Sequence, residues 1–88
     1  MPAAPLSKHD LALLKAFGNR LKASRIAAGY EDARAFAADV GVKDGTYRKY
    51  ERGEAFPVIS TLEICAKLTG KTLDFLILGI APDRKTSR

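Results

Sequence analysis

Five glycines divide the sequence into short amphipathic segments of helical length, and each glycine follows directly after such a segment. They are Gly29, Gly41, Gly53, Gly70 and Gly79. Glycine is favoured at the left-handed position that ends many helices, because side chains are strained there. Alternating apolar and polar residues rich in Val, Ile and Thr, which would indicate β-strands, are absent from the sequence. The spacing therefore predicts an all-α fold of five short helices.

The length and charge of the chain limit what it can do. Its 88 residues suffice for one domain, and 47% hydrophobic with 28% charged residues is the composition of a folded protein. Fifteen Lys and Arg against ten Asp and Glu give a formal net charge of +5, which favours a polyanionic partner such as nucleic acid. No apolar run approaches the roughly 18 residues that cross a bilayer. Because the N-terminus also lacks the features of a signal peptide, we expect a cytoplasmic protein with no membrane partner.

The residue types that often carry chemistry are scarce, since Cys65 and His9 each occur once. A disulfide needs two cysteines and a structural zinc site about four ligands, so we expect no disulfide, no metal and no cofactor. The sequence shows no carboxylate pair with a companion base, no nucleophile with a histidine partner and no glycine-rich phosphate loop. These observations predict that the protein is not an enzyme and that Cys65 is a small buried core residue.

The first helix has a recognisable start, because Ser7 and Asp10 have the spacing of a capping box. It is predicted to run from Lys8 to Ala28. Apolar residues at intervals of three, four and seven predict one buried face, formed by Leu14, Phe17, Leu21 and Ala28. The basic residues Lys15, Arg20 and Lys22 lie off this face.

The second and third helices are short and closely joined. The second is predicted to begin after Asp32 as N-cap and to end at Gly41, and the third to begin after Val42 and end at Gly53. Together they form a helix-turn-helix pattern at about residues 32–53.

The third helix is amphipathic, with Tyr47 and Tyr50 on its inner face. At 100° per residue, the residues that point away from that face are Gly45, Arg48, Lys49 and Arg52. A helix anchored by its back and carrying donors on its front can enter a major groove about 12 Å wide. A solvated amphipathic helix with three basic residues would show the same pattern, so the pattern alone leaves both interpretations open.

The remaining segments complete the domain. Leu62 and Cys65 lie on the apolar face of a fourth helix, and Thr72 can cap a short fifth one. We predict a flexible N-terminal tail at 1–6, a folded domain at 7–79 and a basic, frayed tail at 80–88.

Several short pieces of sequence occur in an order that is typical of one family. They are Phe17-Gly18-Asn19-Arg20-Leu21, Arg25, Gly29, Phe36-Ala37, Gly41-Val42, Thr46-Tyr47-Arg48-Lys49-Tyr50-Glu51-Arg52-Gly53, Pro57, Leu62, Ala66, Leu73-Asp74-Phe75-Leu76 and Gly79. Residues 17–79 thereby resemble the Cro/C1-type (XRE family) helix-turn-helix domain of phage repressors and many bacterial regulators. The resemblance implies a five-helix, lambda-repressor-like fold that binds double-stranded DNA in a sequence-specific way, as a transcriptional regulator.

The same resemblance implies which residues meet DNA. The N-terminal half of the recognition helix is expected to face base edges, which here means Lys43, Asp44, Gly45, Thr46 and Lys49. Lys43 and Lys49 are the expected main base readers, since lysine can donate to guanine O6 and N7. Arg48 and Arg52 are expected to contact phosphates or base edges. The family also tends to pair an arginine of helix one with a glutamate of the recognition helix, which implies an Arg25–Glu51 ion pair.

The chain departs from the family pattern at three places. Helix two of the family usually begins with a phosphate-contacting Gln, whereas this chain has Ala33 after one extra residue, so we hypothesise that Arg34 takes the phosphate role. Gly45 on the outer face either admits close approach to DNA or is simply tolerated at a cost of up to about 1 kcal/mol. The loop after the recognition helix, where the family often has basic residues or amides, has Glu54 and Phe56 instead, and Phe56 either covers the core or rests against DNA sugars.

One module contacts too few bases to find a genomic site alone, so we expect a homodimer on a palindromic operator, with recognition helices about 34 Å apart. Repression is the expected outcome. A short last helix cannot bury all of its apolar residues, and the predicted dimer surface is therefore Phe75, Ile77, Leu78 and Ile80.

The alternative to a dimeric repressor is an antitoxin-type module that binds a toxin partner and autoregulates its operon. The nine residues after Gly79 are short for wrapping a toxin.

Overall fold

The fold is that of a computed structural model, which describes residues 6–81. Its elements are α1 (Lys8–Ala27), α2 (Ala33–Val40), α3 (Asp44–Arg52), α4 (Ile59–Thr69) and a final π-helix (Asp74–Leu78). No strand occurs within these residues, and the predicted all-α fold of five helices is confirmed. Residues 1–5 and 82–88, which make up most of the two predicted tails, lie outside the described residues.

The ends of the helices follow from local chemistry. Ser7 Oγ accepts a hydrogen bond from the Asp10 amide at 3.0 Å, and the Asp10 carboxylate accepts from the Ser7 amide at 3.0 Å, which confirms the predicted capping box. All five glycines named above have positive φ, between 71° and 100°, as predicted for residues that end helices. The predicted burial of Ala28 is wrong: Ala28 is exposed, since α1 ends at Ala27 and Ala28 is its C-cap.

The core is formed by residues from every helix. Its fully buried large side chains are Phe17, Leu21, Phe36, Tyr47, Leu62, Cys65 and Leu76. The ring of Tyr47 lies 5.3 Å from that of Phe36 and 6.1 Å from that of Tyr50, so both tyrosines belong to the core, as predicted. Cys65 is completely buried, in agreement with its predicted role as a small apolar residue.

The last helix has a geometry and a hydrogen-bond partner on α1 that were not predicted. It is π-helical, and the Gly79 amide donates to the carbonyls of Asp74 and Phe75. Thr72 caps its start, as predicted, by accepting from the Phe75 amide at 3.0 Å. Arg20, predicted only to lie off the buried face of α1, donates to the carbonyls of Leu76 at 3.1 Å and Ile77 at 2.7 Å. Its guanidinium therefore ties the π-helix to α1.

Candidate nucleic-acid interface

Two short helices and the turn between them form the scaffold of the site. The Asp32 side chain accepts from the Arg34 amide at 3.0 Å and so begins α2. α2 ends at Gly41, whose φ of 96° would strain any other residue. After Lys43 the chain enters α3, where Tyr47 is 0% exposed and Tyr50 only 7%. α3 is thus anchored by its back on the core.

The opposite face of α3 is exposed and basic. The residues exposed there are Lys43, Gly45, Thr46, Arg48, Lys49 and Arg52, and Asp44 is half-buried at the start of the helix. All seven residues predicted for this face therefore lie together on one short segment. Arg34, the eighth predicted site residue, is exposed in the first turn of α2.

The cations of this face differ in how they are paired. Arg48 Nε lies 2.7 Å from Asp44 Oδ1, and Arg52 Nε lies 2.9 Å from Glu54 Oε2. Both pairs are exposed, so water screens them and an incoming phosphate can compete for either arginine. Among residues 6–81, neither Lys43 nor Lys49 forms an ion pair. The two ammonium groups predicted to read bases are thus free to donate.

Glu54, in the loop after α3, is an acidic residue beside this basic surface. Its hydrogen bond from Arg52 lowers the pKa of the Glu54 carboxyl, and the positive charges of Lys49 and Lys15 lower that pKa further. The same hydrogen bond raises the pKa of the Arg52 guanidinium. Glu54 therefore carries its negative charge at neutral pH and offsets part of the positive potential around it.

A buried ion pair locks α3 to α1. Arg25 donates from Nε to Glu51 Oε2 at 2.7 Å and from Nη2 to Glu51 Oε1 at 3.2 Å, as the family resemblance implied. The Arg25 and Glu51 side chains are only 5% and 11% exposed, and the hydrogen bond from Arg25 to Glu51 raises the pKa of Arg25. Tyr47 Oη also donates to Glu51 Oε2, at 2.5 Å. Burial and this hydrogen bond raise the pKa of Tyr47, which therefore stays a neutral donor.

The structure decides between the two interpretations of Phe56. Its ring lies 4.8 Å from that of Phe17, so Phe56 covers the core from the loop after α3. About half of the side chain remains exposed.

Three residues of α1 that were not predicted from the sequence border the same surface. Lys15, Asn19 and Lys22 face the C-terminal half of α3 across a cleft of about 320 Å³. The lining residues from α3 are Arg48, Glu51 and Arg52. Spacings of four and three residues place the α1 residues on one face of the helix, and this spacing was the signal in the sequence that could have identified them.

The described part of the chain lacks two further features, a cluster of metal-ligand residues and a membrane-spanning helix. Between residues 6 and 81, no three His, Cys, Asp or Glu residues come together as metal ligands would. No helix in that range is both long enough and apolar enough to span a membrane.

A short helix, a glycine turn and a second helix with a buried back and a basic front define a helix-turn-helix protein. In agreement, the model of the family described as "Helix-turn-helix" matches residues 21–76, and the chain belongs to this family, in its Cro/C1-type (XRE) form. Family membership points to a DNA-binding regulator rather than to an enzyme, as the sequence predicted.

One curated relative adds to the family assignment. The chain is 40% identical over 63 residues to the "SPbeta prophage-derived uncharacterized HTH-type transcriptional regulator YonR" of Bacillus subtilis (strain 168). The aligned segment covers 72% of this chain and 57% of that protein, so the chain spans little more than half of its relative's length. The comparison with solved structures finds no match.

Proposed function

We propose that this chain is a transcriptional regulator that binds double-stranded DNA in a sequence-specific way, with α3 in the major groove. The observation that carries the proposal is the division of α3 into a buried back, formed by Tyr47 and Tyr50, and an exposed basic front. Nine residues make α3 about 13 Å long and, with side chains, about 10–12 Å wide, which suits a major groove about 12 Å wide. The B. subtilis relative is named as a transcriptional regulator, which supports the same function.

Within this interface the side chains have different roles. Lys49 and Lys43 read base edges, because their ammonium groups are exposed and unpaired among the described residues, and Thr46 and Asp44 add contacts beside them. Gly45 has no atom within 4 Å of where its Cβ would be, so the helix backbone is accessible at that point. Arg48, Arg52 and Arg34 bind phosphates, which position the protein but carry no sequence information.

The regulator acts as a homodimer on a palindromic operator and represses transcription by occupying it. Of the predicted dimer residues, Leu78 is 60% exposed and Ile80 54%, whereas Phe75 and Ile77 are partly buried against the core. Leu78 and Ile80 therefore provide the exposed apolar surface for the dimer. Phe75 and Ile77 connect this surface to the core against which they pack. A Leu78→Ser/Ile80→Ser variant is expected to sediment as a monomer at concentrations where the wild type sediments as a dimer. A wild type that is already monomeric at those concentrations would contradict the dimer.

The DNA-binding proposal is tested by fluorescence anisotropy with two duplexes, the protein's own promoter and a scrambled sequence. The wild type is expected to bind the promoter at least about a thousandfold more tightly at physiological salt. Lys49→Ala is expected to remove most of this preference, whereas Lys67→Ala, which removes an exposed lysine of α4, preserves it. Equal and weak binding of both duplexes by the wild type would overturn the proposal and redirect the search to a protein partner, such as a toxin.

A further inference from the structure

The cleft between α1 and α3 has a charge that the base-reading role of α3 does not explain. Lys15 and Lys22 of α1 and Arg48 and Arg52 of α3 bring four cationic side chains to its rim. The only acidic residue among those that line it is Glu51, whose carboxylate is already bound by Arg25 and Tyr47. Arg48 and Arg52 are paired with Asp44 and Glu54, which do not line the cleft. Lys15 and Lys22 form no ion pair among residues 6–81, so these two lysines give the cleft its net positive charge.

The position of the cleft is set by tight packing at the end of α3. Gly53, which ends α3, lies so close to α1 that a Cβ there would be 2.8 Å from Lys15 Cα. Arg48 and Arg52 belong both to the exposed front of α3 and to the lining of the cleft. The cleft therefore opens beside the surface that we propose enters the major groove.

We propose that this cleft binds phosphates of the DNA backbone next to the major groove, with Lys15 and Lys22 of α1 as the main contacts. This inference rests on the proposed DNA-binding function and extends the interface from α2 and α3 to α1. Asn19 lies between the two lysines on the same face, and its amide supplies two further donors. A volume of about 320 Å³ has room for a phosphate group together with bridging waters, since each water takes about 30 Å³.

The spacing of the two lysines fits a polyanionic strand. Seven residues at 1.5 Å each place Lys15 and Lys22 about 10 Å apart along α1. Phosphates of one DNA strand repeat about every 3.4 Å along the helix axis, so each lysine reaches a different phosphate. An acidic protein segment is the competing occupant, and the continuity of the cleft with the front of α3 favours DNA.

The experiment measures how the affinity for DNA depends on salt, because each neutralised phosphate contributes about −0.9 to the slope of log K against log salt concentration. The test variant is Lys15→Gln/Lys22→Gln. The matched control, Lys67→Gln/Lys71→Gln, removes the same charge from exposed positions in and just after α4. A third variant, Lys15→Arg/Lys22→Arg, keeps the charge in the cleft.

The test variant loses two phosphate contacts per protomer, and the magnitude of the slope is expected to fall by about 2 for each bound protomer, or about 4 for the proposed dimer. The ratio of promoter to scrambled affinity is expected to stay unchanged, since phosphate contacts carry no sequence information. The arginine variant is expected to keep the wild-type slope, and the control to change it by less than half as much as the test variant. Urea unfolding of each variant shows whether the fold is retained. If the double glutamine variant is unstable, the single variants Lys15→Gln and Lys22→Gln give the same comparison, each with about half of the expected change in slope.

Several results would overturn the inference without overturning the proposed function. One is an equal change of slope in the test variant and its control, which would show that net charge alone matters. Another is a collapse of the promoter preference, which would make these lysines base readers.

Other results would overturn the proposed function. If the wild type binds DNA without preference, the proposed sequence-specific function fails, but the slopes on the scrambled duplex still decide whether the cleft binds phosphate. If the wild type binds no duplex at all, both proposals fail.

Discussion

Gly18 of α1 lies directly against the backbone of Tyr50 in α3, and a Cβ at residue 18 would be 2.6 Å from the Tyr50 carbonyl oxygen. The carbonyl oxygen of Glu51 is also in contact with that position. Because real Cβ atoms do not come so close to backbone atoms, only glycine allows α1 and α3 to pack at this distance. The depth at which the recognition helix sits on the core therefore depends on Gly18.

The first prediction concerns Gly18→Ala. The added methyl group forces α3 away from α1, and overpacking of this kind costs about 1–3 kcal/mol of unfolding free energy, measured by urea denaturation. DNA affinity is expected to fall as well, because α3 changes position relative to α2. The matched control is Gly45→Ala, where no atom lies within 4 Å of the new Cβ and stability should rise by up to about 1 kcal/mol. Equal urea midpoints for Gly18→Ala and the wild type would contradict the prediction.

The amino-acid sequence was sufficient to predict the five helices and the two faces of α3. This succeeded because the determining signals are local: the Ser7–Asp10 capping box, the glycines after each helix and the alternation of Tyr47 and Tyr50 with basic residues. Each signal acts within a few residues of the structure that it predicts. The Arg25–Glu51 ion pair is not local, and only the family resemblance made it predictable.

What could not be predicted depends on how helices are placed relative to one another. Arg20 donates to carbonyls 56 and 57 residues further along the chain, and no periodicity in α1 indicates those partners. The basic cleft exists because Gly18 and Gly53 let α3 approach α1 closely, so Lys15 and Lys22 gained a role only once that distance was known. The π-helical form of the last helix was not predicted either, since its apolar residues fit an α-helix equally well.

The second prediction concerns the buried ion pair. Glu51→Gln leaves the Arg25 charge buried without its counterion, and breaking a buried pair in this way costs about 3 kcal/mol of unfolding free energy. Arg25→Met is expected to cost more, because Arg25 Nη1 also donates to the carbonyls of Tyr30 at 2.7 Å and Glu31 at 2.9 Å. Glu63→Gln, which breaks the exposed pair with Lys67, is the control and should change stability by less than about 0.5 kcal/mol. Similar losses for Glu51→Gln and Glu63→Gln in urea denaturation would refute the prediction.

The third prediction concerns Glu54, which lies beside the cations proposed to bind DNA. Glu54→Gln releases Arg52 and removes a negative charge close to Lys49 and Lys15. Affinity for promoter and scrambled duplex alike is expected to rise by about fivefold at low salt, the size of an exposed charge interaction, and the gain should shrink as salt is raised. Glu63→Gln makes the same change of net charge on α4 and is expected to have a smaller effect. An equal gain in both variants, measured by anisotropy, would show that Glu54 has no special position.

The fourth prediction concerns the pH dependence of stability above neutrality. Burial raises the pKa of the Cys65 thiol to about 11, whereas a thiol in the unfolded chain ionises near 8.5. Between these values the unfolded state has released its proton and the folded state has not, so this group's contribution to stability is intact below about pH 8.5 and is lost as pH rises towards 11. The free energy of unfolding, measured by urea denaturation, should therefore fall more steeply between about pH 8.5 and 11 for the wild type than for Cys65→Ala. The alanine variant starts from a lower unfolding free energy because of the cavity. All other ionisable groups are present in both proteins, so the difference between the two curves reports on Cys65. Parallel stability curves would mean that the Cys65 thiol ionises in the folded protein as readily as in the unfolded chain.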